Sequence, residues 1–334
     1  MTGVAAAPGL AEPDAGPSFA APAFAAQLLE TCAAAAAVSS AIELGVFERV
    51  AEGAADPVTV ATDCGLTEQG AEALLGALAG LGLLALGDDR RFRPALAGLA
   101  DFAELLRPWA SLELALRGEW RTADAATIAG AESLYPSVVS QLATLFRASA
   151  ERAADFLVQP SARVLDIGAG AAPWSLALAA RDPSCMITAV ELPRVVGSTR
   201  TAVRAAGLDD QYEFVAGDAF DVDWGEPATY DLALVANLCH LFDEEANVRL
   251  LGRVADALRP AGRVAIVDIL SNERGDGPRS AVLYALGLVL RTAQGRIYPY
   301  STFRRWLDEC GFKAVRRRSL AGAVPLSLIT ARRR

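Results

Sequence analysis

Two residue types are nearly missing from this 334-residue chain: it has a single lysine, Lys313, and a single histidine, His240. Its remaining basic residues are arginines, and the net charge is −9. Nucleic-acid recognition needs a basic face to neutralise phosphates, so this balance excludes such a partner. Five cysteines (Cys32, Cys64, Cys185, Cys239, Cys310) are scattered without a C-x-x-C pair. That excludes the usual zinc spacing, implies no metal site, and predicts reduced, mostly buried thiols in a cytoplasmic protein. The apolar run between Glu30 and Glu43 reads as too short to span a bilayer, so no membrane segment is expected. The first twenty residues lack a basic start and are rich in Ala, Pro and Gly, a flexible tail rather than a signal peptide.

The apolar fraction of 53% is ample for two cores. The most informative stretch is Arg163-Val-Leu-Asp-Ile-Gly-Ala-Gly-Ala-Ala-Pro-Trp174. A short β-branched run ends at Asp166 and Ile167, breaks into Gly168 and Gly170, and enters an Ala/Leu-rich helix. Strand, glycine turn and helix form the first unit of a doubly wound nucleotide-binding sheet. The third glycine of the dinucleotide fingerprint is missing, with Ala171 or Ala172 near its place.

Two further strand ends strengthen the pattern. Residues 186–190 predict a second strand ending on Glu191, where a carboxylate can accept from both ribose hydroxyls. Tyr212 to Val215 predicts a third, running into Gly217-Asp-Ala-Phe220. There a carboxylate can take an adenine amino group while Phe220 flanks the ring. The three ends together suit a cofactor with adenosine at one end.

Later elements follow the same plan. A fourth strand, Tyr230 to Leu238, leads to Cys239-His-Leu-Phe-Asp243, where Asp243 suits an N-cap for a helix presenting Val248, Leu251, Ala255 and Leu258 on one face. Arg263 to Ile269 predicts a fifth strand carrying Asp268. A helix from Arg279 to Thr292 follows, then one capped by Ser301 through Cys310, stopped by Gly311. Ala314 to Ser319 and Val324 to Ala331 predict a closing antiparallel pair.

The N-terminal part reads as helices. Phe24 to Val50, Pro57 to Gly65 and Glu68 to Leu81 precede a two-stranded wing, a winged-helix pattern. The helix in the recognition position carries Glu68 and Glu72 and no basic residue, which turns the reading toward packing and dimerisation. Residues 103–155 predict several amphipathic helices whose aromatics, Trp109 and Trp120 among them, serve as core or line a pocket.

These residues resemble the S-adenosylmethionine-dependent O-methyltransferases of the caffeate and bacterial polyketide group. The resemblance covers nearly the whole chain beyond the tail. Ser39-Ser-Ala-Ile-Glu-Leu-Gly-Val-Phe47 is similar to the family's dimerisation helix, and Val164-Leu-Asp-Ile-Gly-Ala-Gly170 to its cofactor loop. Glu191-Leu-Pro193 is similar to its ribose site, Gly217 to Phe220 to its adenine site, and Cys239 to Glu245 to its catalytic histidine segment.

The resemblance implies an α/β fold: a doubly wound, mostly parallel, Rossmann-like methyltransferase sheet with an N-terminal α-helical, winged-helix-like dimerisation domain. It divides the chain into a tail (1–20), a helical dimerisation and substrate-lining domain (21–155) and a cofactor-binding domain (156–334). It implies S-adenosyl-L-methionine as cofactor, S-adenosyl-L-homocysteine as product, a small aromatic or polyketide-like acceptor and a homodimer. By position, Asp166, Gly168, Gly170, Glu191, Leu192, Asp218, Ala219 and Phe220 hold the cofactor. His240 is the general base and Asp268 a flanking acid that orients it. Leu241-Phe242 follow the histidine where the family often has Asp-Trp, and Ile297 falls near the place of a second acidic flanking residue in the plant enzymes. The same scaffold also carries C- or N-methylation, or uses the cofactor structurally in hydroxylation or pericyclic chemistry.

Methyl transfer to a hydroxyl is an in-line displacement, so the protein must place the acceptor oxygen and take its proton. A phenol loses its proton near pH 10, and a neutral imidazole within hydrogen-bond reach is a suitable base. The start of the helix capped by Asp243 disfavours imidazolium, while Glu244 and Glu245 oppose that effect.

Overall fold

The computed structural model describes residues 21–96, 106–320, 322 and 324–334. The chain divides into two compact units, with the break between Arg107 and Pro108. The expected tail, 1–20, lies outside the described residues.

In the N-terminal unit, helix α1 (Ala21–Glu43) and helix α2 (Val46–Glu52) are separated by Gly45, which adopts the left-handed conformation. The single helical stretch expected from Phe24 to Val50 is therefore two helices. Helix α3 (Pro57–Cys64) starts where the Asp56 carboxylate accepts from the Thr59 N–H at 2.9 Å, with Pro57 in its first turn. Helix α4 (Glu68–Gly80) is capped by Thr67, which accepts from the Gly70 N–H at 3.0 Å. Strands β1 (Leu84–Leu86) and β2 (Phe92–Pro94) pair antiparallel as the expected wing. Phe47, Val60, Leu75, Leu78, Leu84 and Phe92 meet in one core.

Helix α1 contributes only its last turns to that core, through Ala41 and Ile42; Phe24, Leu28 and Leu29 are exposed, Leu29 by 72%. The stretch Phe24–Glu43 is 20 residues long and apolar enough to cross a membrane. This corrects the expected short run: the helix starts before Glu30, so the apolar stretch continues across that one carboxylate to Glu43.

The second unit holds helix α5 (Leu112–Leu116), helix α6 (Ile128–Leu157), strand β3 (Arg163–Ile167), helix α7 (Pro173–Ala179), strand β4 (Met186–Glu191) and helix α8 (Val196–Ala206). Strands β5 (Tyr212–Ala216) and β6 (Tyr230–Ala236), helix α9 (Glu244–Ala257) and strand β7 (Leu258–Asp268) come next. Strand β8 (Leu270–Ser271), helix α10 (Arg279–Val289), strand β9 (Tyr298–Pro299), helix α11 (Tyr300–Glu309) and strands β10 (Phe312–Leu320) and β11 (Leu326–Arg333) complete it.

Seven strands form one sheet in the order β5-β4-β3-β6-β7-β11-β10. The first five run parallel, and β11 pairs antiparallel with both β7 and β10. Strand order reverses between β3 and β6, and in such sheets the crevice beyond the carboxyl ends at that point is where ligands bind. Helices cover both faces, so the central parallel strands are buried and largely apolar: every residue of β6 is buried, Asp231 included.

Four local expectations change. The several helices expected over 103–155 become, among the described residues, the short α5 and the thirty-residue α6, which runs through Pro136. Helix α6 packs Ala150, Ala153, Ala154 and Leu157 into the sheet's core, which places 108–155 with the second unit rather than dividing the chain at 155/156. Strand β7 begins at Leu258, ahead of the expected Arg263, while Arg259-Pro-Ala-Gly262 makes the expected turn through Ala261, left-handed at φ 62°. Ser301 is no cap: Pro299 stands at that position, and the Ser301 hydroxyl donates to Glu273 at 2.5 Å. Of the five free cysteines, only Cys185 and Cys239 are buried.

Candidate active site

The carboxyl ends of β3, β4 and β6 open onto a cavity of about 1040 Å³, mouth included. The chain leaves β3 through Gly168 and Gly170, both left-handed, with φ of 67° and 57°. Only glycine takes this conformation freely, and here it brings bare backbone to the cavity wall. Ala172, where the missing glycine was expected, is left-handed as well, at φ 55°, and leads into α7 through Pro173.

Glu191 ends β4 and faces the same space. Its carboxylate accepts the Gly170 N–H on one oxygen and the Leu192 N–H on the other, both at 2.7 Å. Burial pushes its pKa up, and the two N–H groups oppose the shift. Asp218 accepts from the Phe220 N–H at 3.0 Å, fixing the turn that carries Ala219 and Phe220 to the cavity. A β-carbon on Gly217 would lie 2.7 Å from Val222, so this turn closes only around glycine.

Of the eight residues expected to hold a cofactor, seven line the cavity: Gly168, Gly170, Glu191, Leu192, Asp218, Ala219 and Phe220. Asp166 does not. It lies beneath the turn, buried, accepting from the Ser175 hydroxyl at 2.5 Å, and Ser175 in turn accepts from Tyr212 at 3.0 Å. Asp166 is a structural acid under the loop, and burial raises its pKa to about 7.

Beside this cavity, β6 ends at Ala236, two residues earlier than its sequence suggests. Asn237 turns left-handed at φ 54°, and the chain coils into a 3₁₀ turn, Cys239–Leu241, that carries His240. Asn247 of α9 is fully buried and donates to the carbonyls of Cys239, Phe242 and Asp243, pinning this turn to the helix. Asp243 caps α9 as expected, accepting from the Ala246 N–H at 2.9 Å.

His240 and Asp268 meet in the interior, 3% and 1% exposed. Asp268 Oδ1 lies 2.6 Å from His240 Nδ1 and also accepts the Ile269 N–H at 2.8 Å; Oδ2 accepts the His240 backbone N–H at 3.1 Å. An ionised carboxylate only accepts, so Nδ1 carries the proton, and in the neutral ring Nε2 is the acceptor. The 28-residue separation in sequence is closed because β6 and β7 are parallel neighbours that end side by side.

Sequence reasoning missed the third member. The Tyr284 hydroxyl of α10 lies 3.0 Å from His240 Nε2, with the two rings edge to face. Burial and Asp268 raise the Tyr284 pKa, and Arg291 works against them. No spacing signal marks Tyr284, since α10 is apolar nearly all round. Tyr135 of α6, which lines the cavity, was missed as well; burial pushes its phenol far up. Among the described residues no cluster of His, Cys, Asp and Glu has the makings of a metal centre.

Comparison with known proteins agrees with this architecture. Residues 125–313 match the O-methyltransferase domain family, and residues 21–106 match the O-methyltransferase dimerisation domain. The chain is 30% identical over 299 residues to 3-hydroxy-5-methyl-1-naphthoate 3-O-methyltransferase of Streptomyces sahachiroi, covering 84% of this chain and 86% of that protein. It is 32% identical over 153 residues to L-tyrosine C(3)-methyltransferase of Streptomyces lavendulae, covering 46% of this chain and 41% of that one. Its fold superposes on human N-acetylserotonin methyltransferase, solved in complex with SAM, with a TM-score of 0.71 at 21% identity, covering 96% and 99% of the two chains.

Proposed function

This chain belongs to the O-methyltransferase family, and from that membership we propose that it methylates a hydroxyl of a small aromatic or polyketide-like molecule, with His240 as the base. The observation that carries this reading is the His240–Asp268 pair at 2.6 Å, on a turn whose neighbours Leu238, Leu241 and Phe242 line the cavity that also holds Glu191.

The cavity residues fit S-adenosyl-L-methionine, the cofactor of this family. Glu191 spends one acceptor site per oxygen on backbone N–H groups, which leaves further sites for a pair of ribose hydroxyls. Asp218, Ala219 and Phe220 would hold the adenine, and the bare backbone at Gly168 and Gly170 would lie against the amino-acid end. When bound, the cofactor supplies a methyl group on a positive sulfonium centre.

The chain's own residues do the rest. Asp268 fixes the His240 tautomer and steadies the imidazolium that forms when Nε2 takes a proton, while Leu238, Leu241 and Phe242 exclude water. A displacement of this kind gains chiefly from alignment and from removal of the acceptor proton.

The test is S-adenosyl-L-homocysteine release with hydroxynaphthoates and hydroxylated polyketides, measured together with cofactor affinity. His240→Ala is expected to lose about 10²- to 10⁴-fold in kcat, the usual worth of a general base, with cofactor affinity nearly unchanged. A fully active variant overturns the base assignment.

The stretch of similarity to an L-tyrosine C(3)-methyltransferase favours one alternative, methylation at carbon. The position of the new methyl group, read by NMR of the product, separates the two. Homodimerisation is supported by the dimerisation-domain match and by the exposed apolar face of α1, and with that reading α1 needs no membrane. Cytoplasmic residence is supported by five free cysteines.

A further inference from the structure

Both ring nitrogens of His240 are already engaged: Nδ1 by Asp268 at 2.6 Å, Nε2 by the Tyr284 hydroxyl at 3.0 Å. His240 itself is sealed, 3% exposed and absent from the wall of the neighbouring cavity. Tyr284 is not on that wall either, but it is only half-buried and packs in one cluster with Tyr135, which is. With the phenol already on Nε2, an acceptor hydroxyl that reaches this pair meets the phenol before the imidazole.

We propose that Tyr284 is a catalytic residue that relays the acceptor's proton to His240. This rests on the reading of His240 as base. A hydroxyl both donates and accepts, so one phenol can serve both partners. The acceptor O–H bond breaks toward Tyr284 Oη while the Oη–H bond breaks toward His240 Nε2. The phenol is regenerated, His240 becomes imidazolium paired with the Asp268 carboxylate, and the electron pair freed on the acceptor oxygen takes the methyl as the C–S bonding pair stays on sulfur. The imidazolium proton is returned to solvent after the product leaves.

The alternative is a door: Tyr284 swings away and the acceptor binds Nε2 directly. The packing favours the relay. The Arg291 guanidinium lies 4.9 Å over the Tyr284 ring, and Leu288, Ile297 and Tyr135 share its apolar cluster. The end of α10 is also stitched down, with Thr122 and Ala125 donating to the Leu290 and Arg291 carbonyls at 2.9 and 2.7 Å. Ile297, near the expected place of a second acidic partner, packs beside Tyr284 instead, so the phenol is the polar group this chain offers at Nε2.

His240 is the only histidine, so labelling with ¹⁵N-histidine gives one imidazole signal whose Nε2 shift reports this hydrogen bond in the full-length protein. Tyr284→Phe is expected to move that signal, and 3-fluorotyrosine at 284, a stronger donor, to move it in the opposite sense. An Nε2 shift insensitive to both overturns the proposal without any acceptor. With a hydroxynaphthoate as probe acceptor, Tyr284→Phe is expected to lower kcat at least 100-fold, acceptor KM and cofactor Kd staying within about threefold, while 3-fluorotyrosine retains turnover. A Tyr284→Phe kcat equal to or above wild type, with His240→Ala inactive, overturns the relay and makes Tyr284 a door. An active His240→Ala overturns the underlying base reading instead.

Discussion

Asp166 shows how far a side chain's environment can depart from what its motif implies. A strand-end carboxylate before a glycine turn suggests a ligand contact, yet this one is sealed beneath the turn with Ser175. Its pKa rises from 3.8 to about 7 through burial. Between those values the folded state binds more protons at this site than the unfolded state, so stability falls as pH rises through the window. The penalty is absent below about pH 4 and complete above neutrality, on the order of 4 kcal/mol at 1.4 kcal/mol per pH unit. Asp166→Asn keeps an oxygen for Ser175 to donate to and removes the charge. Urea midpoints should show the variant more stable than wild type at pH 8, with the gap closing by pH 4. Parallel pH curves for the two proteins would contradict this assignment.

At the scale of elements, α9 shapes both halves of the site. Its Asn247 holds the turn bearing His240, and its Arg253 holds the turn bearing Asp218 and Phe220. Arg253 donates to the carbonyls of Ala219 and Val222 at 2.7 and 2.6 Å and lies 4.2 Å over the Trp224 ring. Hydrogen bonds from a charged donor are worth about 1.5–3 kcal/mol, and losing them loosens the loop before the cofactor arrives. Arg253→Met should weaken S-adenosyl-L-methionine binding about tenfold, or ~1.4 kcal/mol by calorimetry, with kcat at saturating cofactor unchanged. Equal affinity in wild type and variant would show that the turn holds itself through Asp218 and Gly217 alone.

For the whole molecule, the exposed apolar face of α1 carries the dimer reading. Phe24, Leu28 and Leu29 leave half or more of their surface exposed on a helix that the dimerisation-domain match includes. On the dimer reading, this surface is covered by the partner. Sedimentation equilibrium should give twice the mass of the chain for wild type, and the mass of a single chain for Leu28→Asp/Leu29→Asp. A wild-type monomer at micromolar concentration would remove the dimer reading and return α1 to the membrane question.

The sheet was legible in the sequence because its central strands β3, β4 and β6 are buried almost throughout and read as largely apolar runs, and because glycines and carboxylates mark the strand ends. Gly168, Glu191, Asp218 and His240 were singled out this way: each lies next to a recognisable local signal. The extent of α1 and the single long α6 were less legible, since alanine-rich sequence continues a helix without marking its ends. What the chain by itself determined was which residues end strands and which carboxylates and histidine stand there. Only the tertiary structure decided which of them share a space. Parallel β6 and β7 bring Asp268 to His240 across 28 residues, and α10 lays Tyr284 on the remaining nitrogen across 44. Burial turned Asp166 inward, away from the cavity. No local pattern encodes those outcomes, because they follow from how separate elements pack and not from the sequence within any one of them.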